Sequence, residues 1–277
     1  MHDKTFDVSG AITFWSLQST SLQAITDLFG RLGFTACVPN PRTDISALEH
    51  SIKEVYGTKN KSVVSRKQPT RNGVELVDIE RNPDRNHYTT SFGAKVVAGR
   101  VKADYGFADE YKLTEAYLKQ KAKLTSAALG QALVKVLAKL DAMMDLKPSG
   151  GVYYVPEHQL GTWRRLAEGV EQCQEGNVIS TIRAAMDEGT ARAVRDALTR
   201  QVQEEATKLV DDVSKGTLGA DGIRRRAEQA QTLIERVDLY SSILNDGLTG
   251  LKNVAALAKQ TAMAYVMQDM AGVCAAA

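Results

Sequence analysis

The chain is poor in the residues that build metal and redox sites. Its three cysteines, Cys37, Cys173 and Cys274, are far apart, odd in number and include no C-x-x-C pair. That spacing argues against a disulfide framework and against a zinc site, and it suits small buried hydrophobes in a reducing cytoplasm. The four histidines, His2, His50, His87 and His158, stand at no ligand spacing to a cysteine or carboxylate. The chain has no G-x-x-x-x-G-K-[ST], G-x-S-x-G or H-E-x-x-H motif. The phosphate loop, the nucleophile elbow and the zinc-protease helix are therefore missing. No catalytic residue, metal ligand or cofactor is expected.

A long apolar run is missing too. Its most apolar stretch, residues 251–273, is interrupted by Lys252, Lys259, Gln260, Gln268 and Asp269. A bilayer-spanning helix needs about 20 predominantly apolar residues, so no membrane partner is expected. Met1-His2-Asp3-Lys4 is followed by no apolar run before Ala11, which predicts no signal peptide and a cytoplasmic protein.

None of the six prolines lies between residues 190 and 270. That third of the chain reads as amphipathic helix. Val194, Leu198, Val202, Leu209 and Val213 mark one helix, and a glycine-rich turn spans 216–222. Beyond it Ile223, Ala227, Ala230, Ile234, Val237, Ser241, Leu244 and Leu248 alternate steps of four and three, a coiled-coil seam. Two long helices across a short loop predict an antiparallel hairpin. Small residues in the seam permit close helix approach within or between chains. A homo-oligomer is expected, with Ile223, Ala230, Ile234, Val237 and Leu244 as its oligomerisation residues.

The front of the chain has a different period. Residues 11–17 are aromatic and β-branched and read as a strand. Ser19-Thr20-Ser21 offers caps for a helix carrying Leu22, Ile25, Leu28, Phe29 and Leu32. After Pro39-Asn40-Pro41, Thr43 or Asp44 caps a second helix that ends at Gly57. Three strands, 62–65, 74–79 and 88–101, are separated by P-T-R-N-G and N-P-D-R-N, with Asn72-Gly73 as the tight hairpin turn. From Asp109 to Lys147 the period is helical. Gly150-Gly151 then leads to a short edge strand at 152–155, a helix at about 159–174, and the helical tail from Gly176-Asn177. The fold class is α+β. A meander domain at 1–108 precedes a mainly helical domain at 109–277 that ends in the hairpin.

The formal net charge is only +2, yet residues 58–102 hold ten basic residues against four acidic ones. Lys61, Arg66, Lys67 and Arg71 cluster at the first hairpin. Two helices followed by a basic hairpin is the coarse order of a winged helix, whose hairpin lies along phosphates. Those four are the candidate nucleic-acid contacts, although a hairpin tip is also basic for solubility alone. A nuclease-like pattern, Asp84 with Lys95 on a following strand, lacks its second carboxylate because Gly93 stands where an acid belongs. Asp78 and Glu80 share a strand face and could substitute.

The segment Gly150-Gly151-Val152-Tyr153-Tyr154-Val155-Pro156 resembles a pattern of an uncharacterised family of bacterial and phage proteins. Tyr240-Ser-Ser-Ile-Leu-Asn-Asp-Gly-Leu248 and Pro39-Asn-Pro-Arg42 fit the same resemblance. It implies a phage or mobile-element setting and carries no activity. The reading that results is a non-enzymatic binding protein that self-associates through its tail and contacts nucleic acid through the hairpin. The alternatives are an inhibitor or scaffold acting on a host protein, and a metal-dependent nuclease.

Overall fold

The computed structural model describes the backbone of residues 8–57, 59, 61–68, 71–81, 86–140, 144–147 and 150–275. They form an α+β fold that divides into two compact units. One comprises Ser16–Leu133 and Glu168–Val178, the other Met1–Trp15, Val134–Ala167 and Ile179–Ala277. The 108/109 position falls inside the first of these.

In the first unit, helix α1 (Leu22–Arg31) starts at Ser21, whose side chain accepts the amide of Ala24. Its Ile25, Leu28 and Phe29 face inward. Helix α2 (Asp44–Tyr56) is capped in the same way by Thr43 and closes at Gly57, whose φ of 73° suits a residue without Cβ. Four antiparallel strands then follow in sequence order, β3 (Lys61–Gln68), β4 (Arg71–Arg81), β5 (Asn86–Val97) and β6 (Arg100–Gly106). A two-residue ladder, β2 (Thr20–Ser21) with β7 (Lys123–Leu124), lies outside this sheet.

Helix α3 (Glu110–Lys121) flanks the outer edge of β6 and closes it. Thr114 Oγ1 accepts the Val101 amide at 3.1 Å and Glu110 accepts the Ala103 amide at 2.8 Å. Side chains thereby occupy the hydrogen-bonding groups that an edge strand would otherwise offer to another chain. The unit's core joins Ala47, Leu48 and Ile52 of α2, Val74, Leu76, Phe92, Ala94 and Val101 of the sheet, and Leu113 and Tyr117 of α3.

Three features differ from the sequence expectation. The hairpin turn is not at Asn72-Gly73. Those residues lie in β4 opposite Lys67 and Arg66, and the connection between Gln68 and Arg71 lies outside the described residues. The strand expected at 88–101 is two strands, because Ala98 and Gly99 take φ of 47° and 75° and reverse the chain. The helical stretch from 109 is interrupted by β7 before α4 (Ser126–Lys139) begins.

The second unit is built on a sheet ordered β10-β1-β9-β8, with β1 (Val8–Ser16), β8 (Met144–Asp145), β9 (Tyr153–Pro156) and β10 (Val178–Ala185). The G-G-V-Y-Y-V-P segment supplies β9, which is internal to the sheet, not an edge; all four of its residues are buried. Tyr153 and Tyr154 point to opposite faces, as the pleat requires. On one face Trp15 stacks on Tyr153 with centroids 4.9 Å apart. There the indole of Trp163, from α5 (Glu157–Cys173), donates to Thr13 Oγ1 at 3.1 Å. On the other, Tyr154 joins the helices α6 (Glu188–Ser214), α7 (Ala220–Leu244) and α8 (Thr249–Ala275). The tail is thus three helices, not a two-helix hairpin, and strand β10 precedes it where helix was expected.

Candidate nucleic-acid interface

The core residues of the β3–β6 sheet share one face, and α2 and α3 cover it. Alternation places the intervening residues on the other face. The register β4–β5 pairs Glu75 with Gly93, Val77 with Thr90 and Ile79 with Tyr88. The register β5–β6 pairs Gly93 with Tyr105, Lys95 with Lys102 and Val97 with Arg100. Bulges between Leu76 and Val77 and between Gly93 and Ala94 absorb the extra residues Ser91 and Asp104. A line therefore runs along the helix-free face: Tyr88, Thr90, Gly93 with Tyr105, Lys95 with Lys102, Val97 with Arg100. Tyr88 is 63% exposed and Tyr105 39%.

Lys95 and Lys102 are direct cross-strand neighbours, where like charges destabilise a sheet. Each has a carboxylate beside it. Lys95 Nζ donates to Asp104 at 2.9 Å and Lys102 Nζ to Glu110 at 3.0 Å. The amide of Ala103, then the Lys102 ammonium, hold the Glu110 carboxyl below its usual pKa. The Lys102–Glu110 pair is open to water, whereas Asp104 is only 18% exposed and its pair with Lys95 is partly buried. An incoming phosphate can therefore compete with a solvated carboxylate at Lys102.

At the end of β6, Gly106 takes a φ of 72°, and a Cβ there would meet the backbone of Phe92. The next side chain, Phe107, is 90% exposed. Tyr111, in the first turn of α3, is exposed too.

Lys61, Arg66 and Lys67 lie on β3 and Arg71 opens β4, in paired backbone that places them along one hairpin. Their side chains lie outside what the structure describes. Asp84 also lies outside the described residues, and so do the side chains of Asp78 and Glu80. Lys95 is engaged by Asp104. Among the described residues no group of three His, Cys, Asp or Glu side chains is arranged to hold a metal ion. The sequence reading missed Tyr88, Tyr105 and Phe107; an aromatic beside a lysine-rich strand was the available signal, but the register that aligns them was not.

The tail seam is occupied within the chain. Ala230 and Val237 lie in the core cluster with α6 and α8, and Ile234 and Leu244 pack against it. Ile223 packs with Val213, Ala227 and Ala262. What α8 leaves outward is a separate stripe. Asn253, Ala256, Leu257, Gln260, Met263, Ala264 and Met267 fall within one-third of the helix circumference, opposite the buried Ala255, Ala258 and Ala262. That stripe holds no charged residue, and Leu257 and Met267 are about two-thirds exposed. Between α6 and α7 the surface is instead tied by ion pairs, Arg226 to Asp212 at 2.9 Å and Arg236 to Glu205 at 3.0 Å.

Beside β9, burial pushes the Asp145 carboxyl above its usual pKa, while Arg200 donates to the Asp145 carbonyl at 2.6 Å. The arrangement joins β8 to α6. Among the described residues no helix is long and apolar enough to cross a membrane.

A family model matches residues 9–271, and the chain belongs to that family, the family of unknown function DUF6744. No curated protein and no solved structure matches the chain.

Proposed function

We propose that this member of a family of unknown function binds nucleic acid across the helix-free face of its four-stranded sheet. One observation carries the reading. Helices α2 and α3 cover one face of a basic antiparallel sheet, and the opposite face aligns Lys95, Lys102 and Arg100 with the exposed Tyr88 and Tyr105 along adjacent strands. The β3–β4 hairpin, which carries Lys61, Arg66, Lys67 and Arg71 in its sequence, extends the same sheet. Such lysines and arginines bind phosphates by releasing counterions, which gives affinity without base readout.

Self-association is a second part of the reading, supported by the uncharged outward stripe of α8. A second copy of that stripe is the partner it fits, because the seam residues already serve the chain's own core. We place the protein in the cytoplasm of a bacterium or phage-infected cell, on the resemblance carried by the G-G-V-Y-Y-V-P segment.

The test is a titration of labelled single- and double-stranded DNA and RNA with the full chain. Affinity should fall with salt, with a slope in log K of about −0.9 per phosphate contact on duplex DNA and about −0.7 on single strands. Replacing Arg66, Lys67 and Arg71 with Ser should flatten the slope by about two to three units. Silence from all four probes at micromolar protein would retire the proposal and favour a protein-directed inhibitor or scaffold. Magnesium- or manganese-dependent degradation abolished by Lys95→Ala would instead favour a nuclease.

A further inference from the structure

Resting on the sheet-face reading above, we infer that the ligand is single-stranded nucleic acid, gripped by base stacking on Tyr105, Phe107 and Tyr88 and by phosphate contacts at Lys95 and Lys102.

Exposed rings are what a duplex has least use for. Its base faces are stacked on one another, so a protein aromatic on an open surface meets only sugar and phosphate edges. In a single strand each base offers a π-face, and aromatic side chains stack on it whatever the sequence. Tyr105 is held opposite Gly93, a buried position on the neighbouring strand with no side chain, and its ring is 39% exposed. Phe107 follows two residues on, 90% exposed where the fold has no use for an apolar ring. Tyr88 lies on the same face five residues along β5 from Gly93, roughly 15 Å away. Lys95 and Lys102 flank the Tyr105 station on its other side. Tyr88, Tyr105 and the two ammonium groups thus run in one line along the strands, with Phe107 just past the end of β6, the pairing of stacking platform and cationic track that single strands require.

The experiment compares oligonucleotides of about 20 units, single- and double-stranded, DNA and RNA, at about 50 mM salt. Single strands should bind at least tenfold more tightly than duplexes. Tyr105→Ala and Phe107→Ala should each weaken single-strand binding by about fivefold to 150-fold and leave any duplex binding within about twofold. Lys102→Ser should weaken both classes alike. Because Phe107 is so exposed, Phe107→Trp should fold normally and report directly: its fluorescence should be quenched by a bound single strand and not by a duplex. Duplex binding as tight as single-strand binding, or ring variants that bind as the parent does, would overturn this inference and leave the sheet-face reading standing. No binding to any probe overturns both.

Discussion

The hydroxyl of Tyr117 on α3 donates to Asp44 Oδ1 at the start of α2, at 2.8 Å, and Lys121 reaches the same oxygen at 3.0 Å. The pair ties together the two helices that cover the sheet. The Lys121 contact first, then the Tyr117 hydroxyl, hold the Asp44 carboxyl below its usual pKa. Lys119 and Gln120 do the same for Glu54. A carboxyl lowered on folding contributes stability that is present above its unfolded pKa and lost as pH falls through the folded one. Stability of this unit should therefore fall below about pH 4, the ordinary carboxylate range. Asp44→Asn should flatten that acid limb in urea titrations from pH 5 to pH 2. An unchanged limb would show that these contacts do not set it.

The same contact has an alkaline side. Burial, then the bond to Asp44, raise the Tyr117 hydroxyl to about 12. A raised group contributes stability that is complete below its unfolded pKa of about 10 and is lost as pH rises through the folded value. Tyr117→Phe should remove the loss of stability between about pH 10 and pH 12. At neutral pH it should cost about 1 kcal/mol, that of one hydrogen bond. Chemical unfolding at pH 7 and pH 11 measures both.

Gly10 lies under the Tyr154 ring in the sheet of the second unit. A Cβ there would approach Tyr154 Cζ to 2.7 Å and would also meet the Val155 carbonyl oxygen. Both neighbours are buried in packed structure, so neither can withdraw freely. Gly10→Ala should destabilise by about 1–3 kcal/mol, the cost of overpacking. Gly30→Ala, where a Cβ meets nothing within 4 Å, is the control and should stabilise α1 or leave it unchanged. Equal melting temperatures for the two variants would refute the assignment of the Tyr154 ring.

The turn between β5 and β6 uses Ala98 at φ 47° and Gly99 at φ 75°. Positive φ at both central residues is the pattern that favours Asn-Gly, and alanine pays about 1–2 kcal/mol for it. Ala98→Asn should raise the melting temperature by about 2–4 °C without touching the face that carries Lys95 and Lys102. A lower melting temperature would show that the turn is not of this type.

Light scattering decides the role of the tail. The chain should exceed its monomer mass of 30.2 kDa at tens of micromolar. Leu257→Lys with Met267→Lys should return it to the monomer with little loss of stability, because both positions are exposed. Ile234→Asp should instead lower the melting temperature, since Ile234 packs on the chain's own core. A wild-type monomer would end the proposal of self-association.

Local signals carried much of the fold into the sequence. Of the hydroxyls offered at 19–21 it is Ser21 that caps the first helix, of Thr43 and Asp44 it is Thr43 that caps the second, and Gly57 ends the second as expected. Ala98-Gly99 escaped because a turn that usually shows asparagine shows alanine. Residues 178–185 escaped because Val178, Ile179 and Ile182 have a spacing that suits a helix as well as a strand. The aromatics and lysines were visible in the sequence, but their alignment was not. It depends on two bulges, each of which moves every later side chain to the opposite face. The seam at 223–248 was legible as apolar periodicity, but periodicity does not say whether the facing helix belongs to the same chain.

The placement of β1 between β10 and β9 sets the order of events as the protein is made. Thr13 bonds to the carbonyl of Ser180, 167 residues later in the chain. At about 5–20 residues per second, roughly 10–30 s of synthesis separate the two. Until β9 is made the first strand has no partner on either side, and until β10 follows it has one on one side only, while the β3–β6 meander, whose pairings are all between consecutive strands, can close at once. The nascent chain therefore holds a finished sheet and an unpaired strand together. Ile12, Phe14 and Trp15 belong to that strand, so apolar surface stays incompletely covered, and exposed to aggregation, until β9 and then β10 emerge.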